Sequence, residues 1–296
     1  MSFRVVSPSN REELLQTIAE LQSESFRFGA GYTDLLLEIR KAPAPGLTVI
    51  NLARLIDAEF TAIKMDGSQL RIGCLSTVAQ VHGNEAIGLH YPVLRQAAGV
   101  LASRQIREVA TVGGNLCTAS PAGDVACALV ALNATCDILR ADGTARTVPI
   151  TEFFTGVRKT VLKRDELLRS VFIPPNRPGV RLHSGFIKVG IRRSMECSVV
   201  SLAYHLRISP QDTVVAASVA IGSVAPTIRF TKSACDFLAG KSLRSFDSDA
   251  IQSFADLVVS SASPISDRRA SAQYRRRALY NISKCVLETL TNTEGK

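Results

Sequence analysis

The sequence has few of the residues that build metal centres, and those it has are scattered. Seven cysteines and four histidines occur in 296 residues, and no two cysteines form a Cys-x-x-Cys pair. Zinc sites and iron–sulfur clusters use closely spaced cysteines, so the sequence predicts neither. The odd cysteine count also disfavours the disulfide framework of a secreted protein. We expect free, mostly buried thiols in a reducing cytoplasm, and structural histidines without triad or metal spacing.

Long apolar runs are absent as well. No stretch reaches about 18 consecutive apolar residues, the length that a membrane-spanning helix needs. The opening segment, MSFRVVSPSN, lacks the apolar core of a secretory signal. The sequence therefore predicts no membrane span and no export, and we expect a cytoplasmic protein.

Positive charge is in excess, but without the pattern that nucleic-acid binding requires. The chain carries 35 Lys and Arg against 26 Asp and Glu, a net charge of +9, and the excess is concentrated in residues 266–280. No motif with interleaved aromatic residues accompanies it, so we expect no nucleic-acid partner. The run of Arg275, Arg276 and Arg277 fits docking onto an acidic partner, and it fits a solvated helix face equally well.

Hydrophobic periodicity predicts mixed helices and strands along the first part of the chain. Helices are expected over residues 9–23, from about 33, over 91–103 and from about 124. Strands are expected over 25–28, 47–52 and 165–175, before Gly113, and in hairpins at 66–67 and 142–143. Asn10 and Glu13 have the spacing of a capping box at the start of the first helix.

The pattern changes after a linker-like stretch at residues 176–182. Long strands are predicted over 184–192, 198–208 and 213–229, and two or three helices follow. We therefore expect an α+β protein with a mixed first domain, residues 1–176, and a smaller α+β second domain, residues 177–296.

The glycine turn in FRFGAGYTDLLLEIR, residues 26–40, raises the question of a dinucleotide loop. A Rossmann fingerprint has a third glycine where this sequence has Asp34, and an acid after the second strand where it has Asn51. Both departures disfavour a Rossmann fold. For this loop alone, a plain tight turn is the alternative.

A second glycine loop, TVGGN at residues 111–115, is predicted at a strand end. Glycines can turn backbone N–H groups towards an anion, and nearby hydroxyls can donate to phosphate oxygens. Asp124 is expected to be the N-cap of the next helix, or to accept from a ribose or ribityl hydroxyl. Together the two loops suit a diphosphate held without lysine or metal. The hydroxyl donors are Thr33, Thr111, Thr118 and Ser120.

These segments carry a family resemblance. GAGYTDLL, followed by QIREVATVGGNLCTASPAGD, resembles the FAD-binding medium subunit of the molybdenum hydroxylases, above all of bacterial xanthine dehydrogenases. LRIGCLSTVAQV, FIKVGIRRSMECSVVSLA, VAIGSVAPTIR and DRRASAQYRRRAL resemble later family segments in order. The resemblance implies an FAD-binding domain of the vanillyl-alcohol oxidase and p-cresol methylhydroxylase type, with subdomains at about 1–56 and 57–176. A C-terminal domain of the CO dehydrogenase flavoprotein type is expected to follow.

The resemblance also implies which residues hold FAD. Asp124 matches an acid near the polar side of the flavin, Leu168 an apolar wall beside its ring, and Lys188 a base facing it. By sequence alone, Leu168 fits an ordinary core position and Lys188 a solvated strand position. The remaining implied FAD contacts are Arg27, Phe28, Gly29, Ala30, Gly31, Tyr32, Thr33, Asp34, Thr111, Val112, Gly113, Gly114, Asn115, Thr118 and Ser120.

The family reaction implies partners. A heterocycle or aldehyde is hydroxylated at a molybdenum centre, and electrons pass through two [2Fe–2S] clusters to FAD and then to NAD⁺ or another acceptor. This chain has no cluster ligands and is too short for a molybdopterin domain. A large molybdopterin subunit and a small [2Fe–2S] subunit are therefore expected, in a dimer of heterotrimers serving purine-like substrates. A flavin-free assembly subunit is the alternative.

Two positions depart from the family pattern. Tyr32 stands where many members have the second glycine of A-G-G-T-D, and it can change the loop conformation or shield the flavin. Glu108 replaces a common asparagine, and its carboxylate is unfavourable near a diphosphate unless it points away.

Overall fold

The computed structural model describes residues 3–192 and 195–292, and three main sheets organise them. The α+β class is confirmed, and the described residues form no doubly wound Rossmann sheet. Among these residues, no helix is both long and apolar enough to cross a bilayer.

A small parallel sheet forms the first unit. Its elements are β1 (Arg4–Val6), α1 (Arg11–Glu20), β2 (Phe26–Gly29), α2 (Leu35–Lys41) and β3 (Thr48–Asn51). Both outer strands pair in parallel with the central β3, because a helix or a crossover separates each strand from the next. The side chain of Asn10 caps α1 as predicted, but the prediction of a capping box, in which Glu13 would accept from the N–H of Asn10, was wrong. The Glu13 carboxylate instead accepts from the backbone N–H of Ser9, at 2.8 Å.

The second unit is an antiparallel sheet with a helical layer. Its first elements in chain order are a 3₁₀ turn (Leu52–Arg54), α3 (Ala58–Thr61), β4 (Ile63–Asp66), β5 (Gln69–Gly73), α4 (Val78–Gly83), α5 (Glu85–His90), α6 (Pro92–Val100), α7 (Arg104–Val109), α8 (Val112–Thr118) and α9 (Asp124–Ala131). They continue as β6 (Thr135–Arg140), β7 (Ala145–Pro149), α10 (Ile150–Phe153), β8 (Phe154–Gly156), β9 (Lys159–Thr160) and β10 (Glu166–Ile173). The strand order is β4-β5-β10-β6-β7, and both predicted hairpins are present in it.

An antiparallel sheet and three helices form the third unit. Its elements are β11 (Arg181–Val189), β12 (Val200–Ile208), β13 (Val214–Gly222), β14 (Arg229–Phe230), α11 (Lys232–Leu238), a 3₁₀ turn (Leu243–Ser245), α12 (Ser248–Ser260) and α13 (Ala272–Asn292). The strands lie in chain order and the helices cover one face, enclosing an apolar cluster. The expectation of an exposed basic run on α13 was wrong for Arg275. This side chain is buried, and it donates to the carbonyls of Val199 and Ser223.

Helix α9 joins the second and third units. Every residue of α9 is buried, since the helix packs against α6 on one side and against β12 and β13 on the other. A second link lies after β10, where His205 Nε2 is 2.8 Å from Asn176 Oδ1 and Nδ1 is 3.0 Å from Ser184 Oγ. The Asn176 oxygen is an acceptor, so the neutral imidazole carries its proton on Nε2.

The segment before Gly113 differs from the prediction. Residues 104–118 form two short helices, α7 and α8, in place of a strand and a loop. Ser103 caps the first and Thr111 the second, each by accepting a backbone N–H of the first turn. The only strand-like pairing in this segment is an isolated bridge between Thr77 and Thr111. Cys74, Cys127, Cys136 and Cys235 are buried, whereas Cys117, Cys197 and Cys285 are exposed.

Candidate functional site

A cleft of about 680 Å³ lies where the three units meet. This volume falls within the usual range of cofactor and ligand sites. Most residues that the sequence predicts for a cofactor line it: Arg27, Phe28, Ala30, Gly31, Tyr32, Thr33, Asp34, Thr111, Gly114, Asn115, Thr118, Ser120 and Asp124. The third unit adds Glu196, Cys197 and Arg269. The fold therefore brings both predicted loops, which are about 80 residues apart in sequence, to a single cavity.

The first loop, residues 30–34, presents backbone donors to the cleft. Among the described residues, no protein group accepts a hydrogen bond from the backbone N–H groups of residues 30–35, and no side chain caps α2. Tyr32 has φ 59°, and the next positions turn into the helix, which is the geometry of an anion-binding nest. The loop is therefore equipped to bind a phosphate group.

Gly31 brings this loop against the second unit. A Cβ built on Gly31 would lie 2.0 Å from the carbonyl oxygen of Val109, at the end of α7. Any larger residue would push the loop away from α7 and widen the cleft. This glycine is thus required by close backbone approach, since its φ is not in the left-handed region.

The second loop works differently from the prediction. Thr111 is the N-cap of helix α8, and the N–H groups of residues 112–115 already have protein acceptors. Those of Val112 and Gly113 donate to carbonyls of residues 76 and 74, at 3.0 and 2.7 Å. The N–H groups of Gly114 and Asn115 both donate to Thr111, to its side chain and its carbonyl respectively. This loop therefore shapes the cleft and offers it side chains, but its residues 112–115 do not offer free N–H groups.

Asn115 links the two helices at the cleft floor. Its Oδ1 accepts from the N–H of Ala126, at 3.0 Å, in the first turn of α9. The N-cap of α9 is Gly123, which has no side chain to do this, so Asn115 caps the helix from α8. The prediction that Asp124 is the N-cap was therefore wrong, and Asp124 is the first residue of the helix.

Asp124 is a buried carboxylate at the edge of the cleft. It accepts from Lys188 Nζ and from Ser198 Oγ, both at 2.6 Å. Burial raises the pKa of Asp124, and the charge of Lys188 and both hydrogen bonds oppose that rise. Lys188 also donates to the carbonyl of Val100, at 3.2 Å, so one ammonium group bridges β11, α6 and α9.

Some predicted residues lie outside the cleft lining. Gly29, Val112 and Gly113 are buried behind it. Leu168 is 3 % exposed and packs in the main core on β10, which agrees with the ordinary core interpretation. The solvated position considered for Lys188 is wrong, because only 13 % of its side chain is exposed and its ammonium group pairs with Asp124.

Sequence reasoning missed a carboxylate shared by two arginines at the cleft. Glu38 on α2 pairs with Arg27 at 2.6 Å and with Arg158 at 2.7 Å. Arg158 lies between β8 and β9, 120 residues from Glu38, so no local sequence pattern predicts the contact. Glu108 points away from the lining, is exposed, and lies 3.9 Å from Arg104 on its own helix.

Comparison with known proteins agrees with this geometry. Residues 1–176 match the family model for the FAD binding domain in molybdopterin dehydrogenase. Residues 186–290 match the model for the CO dehydrogenase flavoprotein C-terminal domain.

Relatives from several enzymes align over most of their length. The nicotinate dehydrogenase FAD-subunit of Eubacterium barkeri is 28% identical over 99% of this chain and 98% of its own. The xanthine dehydrogenase FAD-binding subunit of Escherichia coli O157:H7 is 29% identical, over 90% and 89%. A solved carbon monoxide dehydrogenase from Hydrogenophaga pseudoflava superposes with a TM-score of 0.88 at 24% identity, covering 97% and 96%, which shows the fold. The chain therefore belongs to the family of FAD-binding proteins of the molybdopterin dehydrogenases, whose relatives are subunits of oxidoreductases.

Proposed function

We propose that this chain is the FAD-carrying electron-transfer subunit of a multi-subunit molybdenum hydroxylase. In this proposal, electrons arrive from [2Fe–2S] clusters on a partner and leave the FAD to NAD⁺ or another acceptor. The partners are a large molybdopterin subunit and a small iron–sulfur subunit, in a dimer of heterotrimers. The observation that carries the proposal is the single cleft, which combines free backbone donors, cationic side chains and a buried carboxylate.

Different residues of the cleft would bind different parts of FAD. The N–H groups of the first loop and Arg27 would bind the diphosphate, since both supply positive potential without a metal. Thr118 and Ser120, at the far end of α8, would donate to phosphate or ribityl oxygens. FAD, when bound, supplies the redox chemistry, and the chain binds and orients it. We assign no residue of this chain to proton transfer.

Asp124 and Lys188 would set the environment of the polar side of the flavin. The carboxylate lines the cleft at the start of α9, where the helix dipole favours negative charge. The ammonium group of Lys188 stands behind it and fixes its orientation. We propose that Lys188 acts through Asp124, because its own side chain does not line the cleft.

A purine-like heterocycle or an aldehyde would be hydroxylated on the large subunit, outside this chain. The relatives are named for nicotinate, xanthine and carbon monoxide at similar identities, so identity alone favours none of these substrates. We also propose a domain boundary near residue 177, between β10 and β11.

A flavin-free assembly role is the second candidate. It assigns no ligand to the N–H groups of residues 30–35, which are unpaired among the described residues and line a cleft of cofactor size, whereas a bound diphosphate would accept hydrogen bonds from them. The free donors therefore favour the FAD-carrying role.

The test is the visible absorption spectrum of the purified full chain, followed by chromatography of the extracted flavin. An equimolar amount of FAD is expected. Anaerobic addition of NADH to the loaded chain should bleach the flavin band if NAD⁺ is the acceptor. A chain that stays colourless with added FAD and both partner subunits would establish the assembly role instead. A flavin that dithionite reduces but NADH does not would exclude only the NAD⁺ part.

A further inference from the structure

Tyr32 adopts a backbone conformation that its side chain disfavours. Its φ is 59°, in the left-handed region, which glycine adopts without steric strain and a bulky residue does not. Such strain persists only where the surroundings hold the residue in place, and it concentrates at functional sites. We therefore expect contacts that hold Tyr32 in this conformation and a function for the loop that the conformation shapes.

The ring of Tyr32 is wedged between β2 and α2. It lies over Gly29, where a Cβ would be 2.6 Å from Tyr32 Cε1 and 2.8 Å from Tyr32 Oη. It also packs against the small apolar cluster of the first unit, which consists of Leu35, Ile39, Leu47 and Val49. The carbonyl of Tyr32 accepts from the N–H of Leu36, at 3.3 Å, and so links the loop to the first turn of α2. The ring therefore fixes the loop from the core side.

The opposite side of the same loop faces the cleft. Residues 30–34 line the cleft, and their N–H groups have no protein acceptor among the described residues. Flexible loops must lose conformational freedom when they bind an anion, and a loop that is already fixed does not. Packing of the half-buried ring against β2 and α2 would thus hold the donors in place before any ligand arrives.

We propose that Tyr32 is a positioning residue that pre-organises the first loop for the diphosphate of FAD. The ring acts as the wedge, and the phenol hydroxyl is not a ligand. This inference rests on the proposed function, in which the cleft holds FAD. Glycine reaches the left-handed backbone at this position because it is flexible. Tyrosine reaches the same backbone while its ring packs against β2 and α2, so the loop is also more rigid.

The test compares variants of the full apo chain by FAD titration, following the change in flavin fluorescence. Tyr32→Gly keeps the left-handed backbone accessible and removes the wedge, so its Kd should rise about tenfold, because fixing one residue costs on this order. Tyr32→Phe keeps the wedge and should stay within about threefold of wild type. Tyr32→Asn, which tolerates the same φ, is the second ring-free variant if the glycine variant folds poorly. The urea midpoint of each apo variant reports whether it folds.

Competition with ADP isolates the diphosphate. ADP should displace FAD from wild type, and its own affinity should fall by the same factor as that of FAD in Tyr32→Gly. Wild-type affinity in both ring-free variants would overturn the inference. So would a Tyr32→Phe variant as weak as Tyr32→Gly, since the hydroxyl would then be the ligand. An ADP affinity that does not change would also overturn it. Failure of wild type to bind FAD would instead refute the proposed function itself.

Discussion

Substitution of Asn115 separates two roles that one side chain combines. Its Oδ1 caps α9 through the N–H of Ala126, and its amide NH₂ group lies on a residue that lines the cleft. Asn115→Ala removes both groups. Asn115→Asp keeps the acceptor, removes the donors and adds a negative charge in the cleft that is proposed to hold the diphosphate.

The magnitudes follow from the burial of Ala126, which is 1 % exposed. Leaving its N–H group without an acceptor costs about 1–3 kcal/mol of unfolding free energy. Asn115→Ala should therefore lose this much stability, and it should weaken FAD binding by about 1–3 kcal/mol as well, if the lost donors are buried against the cofactor. Asn115→Asp should stay within about 1 kcal/mol of wild-type stability, because a carboxylate is favoured at a helix N-terminus.

The assay pairs urea unfolding of the apo chain with FAD titration of the same preparation. The expected pattern is a loss of both quantities in Asn115→Ala and of FAD affinity alone in Asn115→Asp. Wild-type FAD affinity in Asn115→Asp would refute the argument that the amide faces the cofactor. Unchanged stability in Asn115→Ala would refute the capping role.

Three further predictions concern the supports of the cleft and the link between the second and third units. Lys188→Met should cost about 3–5 kcal/mol in urea unfolding, because it leaves the Asp124 carboxylate buried without its cation. Adding Asp124→Asn to that variant should recover most of the loss, and a single variant as stable as wild type would contradict the argument. Gly31→Ala should abolish FAD retention in the absorption assay, since its Cβ would collide with backbone. Gly83→Ala, with open space around it at the end of α4, should retain FAD fully. Burial lowers the pKa of His205 from 6.5 to about 4. Between these pH values His205 is protonated in the unfolded chain and neutral in the folded chain. Stability should therefore fall as the pH drops from about 6.5 towards 4, and His205→Gln should flatten that slope in urea titrations at successive pH values.

Both hairpins and most of the longer strands were predictable because their signals are local. Alternating apolar residues and Asp-Gly turns mark β4 to β7, and Pro92 marks the first residue of α6. Residues 104–118 were not predictable in the same way. β-Branched residues next to two glycines favour a strand and a turn, but Ser103 and Thr111 cap two helices there.

The candidate site shows the same division. Its glycine loops were recognisable, and most of their residues line the cleft. The hydrogen-bonding state of each loop was not, because the first two N–H groups of α8 donate to carbonyls of residues 76 and 74, which are distant in sequence. Capping of α9 by Asn115 joins residues 11 positions apart, and the pairing of Glu38 with Arg158 spans 120, so neither contact follows from a local sequence pattern.

The position of the cleft between three units has a consequence for biosynthesis. Its wall begins at Arg27 and is completed by Arg269, close to the end of the described residues. A ribosome makes the first loop early and the last contributor late, so the full set of contacts with the cofactor exists only after most of the chain has emerged. A ligand that touches all three units also stabilises only the state in which they are docked. The complete cleft therefore forms late in synthesis, and we expect the tightest cofactor binding only once all three units are present.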